Sequence, residues 1–107
     1  MTMNEDIKKY PVYALSQRGL VPIDISSIND YNHQTHQLHH YIKQQSYNGN
    51  KEWYDKRGIK QKLILLPCFV HEHVHNTAVK NLTDEEFQEK FKISRWDLLF
   101  NRKYSSY

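Results

Sequence analysis

Cysteine, glycine and proline are all scarce, at one, three and three residues in a chain of 107. The single thiol, Cys68, excludes an internal disulfide and any Cys-x-x-Cys metal site. No apolar run approaches the ~20 residues needed to cross a bilayer; the longest, Leu63 to Val70, is core-sized. The opening MTMNEDIKKYPVY has no apolar h-region of the secretory kind, so the expectation is a cytoplasmic protein without a membrane partner. Internal repeats and low-complexity tracts are also lacking. Apolar residues make up 38% of the chain, below the globular average, and eight Tyr with two Trp supply much of the core area. A single small domain of this size buries roughly two thirds of its unfolded surface, so a bound metal would add usefully to its stability. The net charge of +3 is a mild basic bias, compatible with a polyanionic partner but not diagnostic of one.

Residues 1–20 are polar and basic, punctuated by Pro11 and Gly19, and read as an irregular extension or one short strand. Asp24-Ile25-Ser26-Ser27 suits the start of a short helix running to about Tyr31, with Ile25 and Ile28 facing inward. The run HQLHHYI is too short for periodicity to separate strand from helix. Tyr47-Asn48-Gly49-Asn50 signals a turn. Residues 51–57 suit an amphipathic helix stopped by Gly58. Lys62 to Pro67 reads as a buried strand, and Cys68 to about Val79 as a helix with Val70, Val74 and Ala78 on one side. Thr83 and Glu86 form a capping box for a helix carrying Phe87 and Phe91. Ser94 opens a last short helix with Trp96, Leu98, Leu99 and Phe100 as core, followed by a frayed tail.

What the chain has in quantity is histidine. All seven fall between His33 and His75, and two groups stand out: the doublet His39-His40 and the cluster His71-Glu72-His73-Val74-His75. Imidazole is the commonest metal ligand and the one side chain that titrates near neutrality when unperturbed. On one helix, His71 and His75 lie a turn apart and can converge on one ion. A third ligand must come from elsewhere, and either member of the doublet suits. If the doublet is extended its two rings point to opposite faces, which leaves the other free as a base. Hydrolysis of a phosphodiester needs both functions, an electrophile for the phosphate and a base for the water. His33, His36 and His73 read as incidental, with His36 the substitute ligand should the doublet be helical.

LHHYI at 38–42, KLILLP at 62–67 and HEHVH at 71–75 together resemble the ββα-metal (His-Me finger) nucleases of the HNH superfamily. The resemblance covers about 40 residues and includes the spacing Pro67-x3-His71-x3-His75. It implies an α+β fold: a small ββα-metal core over 36–80, an N-terminal extension over 1–35 and C-terminal helices over 81–107. It also implies one divalent ion (Zn, Ni, Mg or Mn) on His39, His71 and His75, with His40 as general base. The Asn that braces the loop in such enzymes falls at Lys62, where an ammonium would contact phosphate instead. Lys51, Lys56, Arg57 and Lys60 would follow the backbone of a nucleic acid, DNA before RNA. Lys90, Lys92, Arg95, Arg102 and Lys103 read as solvated surface.

The expected activity is thus a metal-dependent endonuclease, of a size found among stand-alone phage or mobile-element enzymes. Two other readings compete with it. His71-Glu72-x-x-His75 is literally the H-E-x-x-H of zinc metallopeptidases, with Glu85, Glu86 or Glu89 as the downstream ligand. Lys62 in place of Asn motivates a non-catalytic binder or inhibitor that keeps the fold and takes a protein partner.

Overall fold

The computed structural model describes residues 3–100, so the expected tail over 102–107, with Arg102 and Lys103, lies outside the described residues. The chain is a small α+β domain built on a four-stranded mixed sheet. Helix α1 spans Met3–Lys9, strands β1 and β2 span Val12–Ser16 and Gly19–Pro22, and a single 3-10 turn covers Ile28–Asp30. Strand β3 is His36–His40, helices α2 and α3 are Gln44–Gly49 and Lys51–Lys56, and strand β4 is Leu63–Pro67. Helices α4, α5 and α6 follow at Cys68–Val74, Asp84–Phe91 and Arg95–Leu98. Among the described residues no helix is long and apolar enough to cross a membrane.

The sheet order is β2-β1-β4-β3, with β4 parallel to β1 and antiparallel to β3. Leu63, Ile64 and Leu66 of β4 have no exposed surface, because this strand is covered on both faces. Its alternate residues feed two cores. Ile64 and Leu66 join Val70 and Val74 of α4, Phe87 of α5 and Leu98 of α6. Leu63 joins Leu38, Val12 and Ile7 of α1 on the other face. A third cluster, Ile42, Tyr54 and Ile59, roots the α2–α3 insertion between β3 and β4.

Residues 12–16 and 19–22 are therefore strands of the sheet, with β1 an inner one, where the sequence suggested an irregular extension or one short strand. The signal was weak because α1 and β1 meet at Pro11 without any polar spacer, and each is too short to show a period. The helix expected from Asp24 to Tyr31 is reduced to the 3-10 turn, capped by Ser27 and Asp30 in a reciprocal box. The turn expected at Tyr47–Asn50 is instead the end of α2, with Asn50 its C-cap.

Two helix ends are closed by backbone bonds of the Schellman type. In α3, Gly58 donates to Asp55 and Ile59 to Tyr54, with Gly58 at φ 68° and Ile59 packed against Tyr54. In α4, Asn76 (φ 56°) donates to His73 and Thr77 to Glu72. This closure ends α4 at Val74, short of the expected Val79, and leaves His75 as the C-cap residue. Thr83 and Glu86 form the expected box at the start of α5, and Ser94 caps α6.

Arg95, read as surface, is 5% exposed. Its guanidinium donates to Asp84 and to the Leu82 carbonyl and lies over the Phe87 ring, tying α6 to α5. Lys92 ends α5 at φ 60°, a left-handed conformation that costs a lysine about 1–2 kcal/mol and glycine almost nothing. Lys92→Gly is therefore expected to stabilise the fold by about 0.5–1 kcal/mol after its unfolded-state entropy is counted. Thermal unfolding should show a midpoint a few degrees higher.

Candidate metal centre

Strand β4 runs into α4 without a loop: Pro67 is both the last residue of the strand and the N-cap of the helix, and it has no backbone N–H to donate to the ladder. The Cys68 amide donates to the Thr35 carbonyl at the start of β3, which holds the first turn of α4 against that strand. His71 and His75, one turn apart, thereby face His39 of β3. His39 is 3% exposed.

His39 Nδ1 lies 3.2 Å from His71 Nε2 and 3.2 Å from His75 Nε2. Tetrahedral Zn–N bonds of 2.0–2.1 Å would set ligand nitrogens roughly 3.3–3.4 Å apart, which these two separations approach, and all three ligand nitrogens lie within 4.8 Å of one another. The tautomers suit an ion as well. His39 Nε2 donates to the Leu98 carbonyl at 2.7 Å, an oxygen that can only accept, which leaves Nδ1 bare in the neutral ring. His71 Nδ1 donates to Gln37 Oε1, which leaves its Nε2 bare. Two lone pairs therefore face each other at 3.2 Å, and a single N–H from His75 cannot satisfy both. A cation among the three nitrogens does. The His39, His71, His75 trio can hold a metal ion.

Desolvation favours the neutral form of all three rings, with His39 buried, His71 half-buried and His75 at the exposed end. It is the main cause that pushes His39 down to about 3, with the neighbouring imidazoles adding to it and the Leu98 bond opposing. His71 is lowered by burial and by His75, and His75 by burial and by the charge of Lys43. Neutral imidazoles are the form that ligates.

His40 points to the opposite face of β3. Its Nε2 lies 3.0 Å from Asp6 Oδ2 of α1, and the Asp6 side chain is 2% exposed. Strand β3 is the sheet edge, so rings on its two faces can share one space around that edge. A cavity of 200 Å³ is in fact lined by His39, His40, His71 and His75 together with Leu38 and Lys43.

Other expected residues are placed elsewhere. Lys62 projects to the sheet face away from His40, by the same alternation that puts Ile64 and Leu66 there. Its ammonium sits 4.4 Å from the Tyr41 ring centre and 5.5 Å from that of Tyr13, and it does not line the histidine cavity. Lys51, Lys56, Arg57 and Lys60 do not line it either. Lys56 pairs with Glu52 at 3.0 Å, and Arg57 stacks on Trp53 at 4.1 Å. Glu72 is exposed and outside the cavity. Glu86 is committed to the Thr83 capping box. His33 stacks on Tyr31, His36 bonds Thr35, and His73 packs on Phe91.

Four contributors had no signal in the sequence reading: Asp6, Gln37, Lys43 and the Leu98 carbonyl. A fifth, Gln61, is 2% exposed and bonds both the amide and the carbonyl of Ile42, at 2.8 and 2.7 Å. It staples the chain just past the doublet, one residue from where an Asn was sought.

No protein-family model matches the chain, no curated protein is significantly similar to it, and no solved structure matches. What the cluster does must follow from its own donors.

Two outcomes test the centre. Removing the amide acceptor in Gln37→Leu should weaken Zn binding about 10–100-fold, as loss of a ligand-orienting partner does, while the fold persists; calorimetric titration reads this. In the metal-free protein, His39 stays neutral when folded but takes a proton near 6.5 when unfolded. Stability should then be full above pH 6.5 and fall on acidification, by about 2 kcal/mol at pH 5, in urea unfolding.

Proposed function

We propose that the chain is a metal-dependent nuclease that hydrolyses phosphodiester bonds in DNA, with RNA the second substrate class. The observation that carries this reading is the shared cavity: three converging neutral imidazoles, and beside them a fourth held by a buried carboxylate. The order strand–strand–helix of β3, β4 and α4, with the doublet ending the first strand and the histidine pair on the helix, supports the likeness to ββα-metal nucleases.

In this reading His39, His71 and His75 hold the ion. Bound there, a divalent cation supplies Lewis-acid stabilisation of charge on the phosphate. Three imidazoles favour Zn or Ni on affinity, whereas Mg or Mn is better served by carboxylates. His40 donates Nε2–H to Asp6, which leaves Nδ1 bare to take the proton of an attacking water. Asp6 orients the ring and stabilises the imidazolium that forms, the part a carboxylate plays beside a catalytic histidine elsewhere. Lys43, at the cavity rim, is placed to meet a non-bridging phosphate oxygen.

The bracing expected of an Asn at position 62 falls to Gln61 for the loop and to Asp6 for the base. Lys62 therefore no longer argues for a non-catalytic binder. The metallopeptidase reading is disfavoured because Glu72 lies outside the cavity and the third imidazole comes from β3.

Plasmid nicking across Mg, Mn, Zn and Ni, with EDTA controls, tests the proposal. His40→Ala should lower cleavage by about 10²–10⁴-fold yet retain metal, whereas His75→Ala should lose both. Cleavage that survives EDTA, or a fully active His40→Ala, would overturn the assignment. Peptide cleavage abolished by Glu72→Ala would favour the peptidase.

A further inference from the structure

Lys62 is left without a part in the histidine site, and its surroundings are unusual. The side chain is half-buried, and no carboxylate lies within ion-pairing distance of it among the described residues. Its neighbours are the faces of Tyr13 and Tyr41. Withdrawal of an ammonium from water without a paired anion is unfavourable. Burial accordingly lowers its pKa, with Asp97 opposing.

Lys62 lines a cleft of 590 Å³ between the β1–β2 turn and the α5–α6 turn. Arg18 from the first turn and Lys92 from the second line the same cleft, and Asp97 is its one carboxylate. Gln17, Gln88 and Ser94 add neutral hydrogen-bonding groups. The volume lies within the range of small-ligand pockets. None of these residues lines the histidine cavity. Helix α6 stands between the two, offering Asp97 to the cleft and the Leu98 carbonyl to His39.

We propose that this cleft is a second site that binds a phosphate group, with Arg18, Lys62 and Lys92 as its cationic donors. Three cations against one carboxylate, drawn from three separate segments, suit a group with several anionic oxygens better than a single carboxylate. The phosphate can belong to a nucleic-acid backbone or to a free phosphorylated molecule. The site is independent of the nuclease reading, since no ligand or base is shared.

Titrating the 107-residue chain with pyrophosphate at constant ionic strength, followed by amide NMR, tests this. Saturable shifts are expected at Arg18, Gly19, Lys92 and Ser94. Binding should weaken at least about tenfold in Lys92→Gly, a change the left-handed backbone there accommodates, and again in Lys62→Met, which keeps the contact with the tyrosines. A second arm uses His75→Ala protein, so that cleavage does not intervene. Displacement of pyrophosphate by a 12-base-pair duplex identifies a nucleic-acid backbone as the source. Displacement by a nucleoside diphosphate alone identifies a free phosphorylated ligand. Absent or non-saturable shifts, or binding unchanged in both variants, would overturn the proposal.

Discussion

The hydrogen bond from His39 Nε2 to the Leu98 carbonyl is the contact on which the candidate metal site depends. It joins an edge strand to the last described helix across a buried gap of 2.7 Å. Because the acceptor is a carbonyl, the bond also decides which nitrogen of His39 is bare, and that nitrogen is the one facing His71 and His75. A histidine so buried is strongly opposed to protonation, so in the folded chain its Nδ1 lone pair is available at any pH near neutrality. Local geometry and tautomer thus follow from one contact, while burial around it sets the neutral charge state. The same contact explains why residues 95–98 matter to a site formed by β3 and α4. Arg95 clamps α6 to α5 through Asp84 and Leu82, and so holds the Leu98 carbonyl in place.

The scaffold delivers the remaining rings by short-range means. Pro67 turns β4 straight into α4, and the Schellman closure at Asn76 stops the helix just after His75. Stopping there matters, because His75 is the C-cap residue and its ring lies at the mouth of the site. On the other face, α1 is too short to be stable alone. It is held by Ile7 in the core and by Asp6, whose carboxylate meets His40. Separation by sheet face gives the two adjacent histidines different neighbours, one among ligands and one beside a carboxylate. Their reunion in one cavity depends on β3 being an edge strand.

Much of the site was legible because its signals are local. An i, i+4 histidine pair after Pro67, an adjacent pair, a capping box at Thr83 and an N-cap at Ser94 each involve a few consecutive residues whose geometry is set by helix or strand period. The helix stop at Asn76 was not legible, because the apolar spacing of Val70, Val74 and Ala78 runs past it. Contact at long sequence distance was not legible either. Asp6 reaches His40, Gln37 reaches His71 and the Leu98 carbonyl reaches His39, and no pattern in the chain marks any of these pairs. Lys62 was misplaced for a related reason: the position of a motif letter says nothing about which sheet face the side chain takes. Its neighbour Gln61 does the stapling instead, through a two-point bond to Ile42.

His39, His71 and His75 are placed to hold one ion through Nδ1, Nε2 and Nε2 respectively, with His40 beside it and unligated. Imidazole nitrogen NMR on ¹⁵N-labelled protein titrated with Zn reads each ring directly. Metal-induced shifts are expected at those three nitrogens, saturating at one equivalent, while Nε2–H of His39 and Nδ1–H of His71 stay protonated. Ligation by His40 or His73, a different nitrogen of His39, or no saturable shift at one equivalent would contradict this assignment.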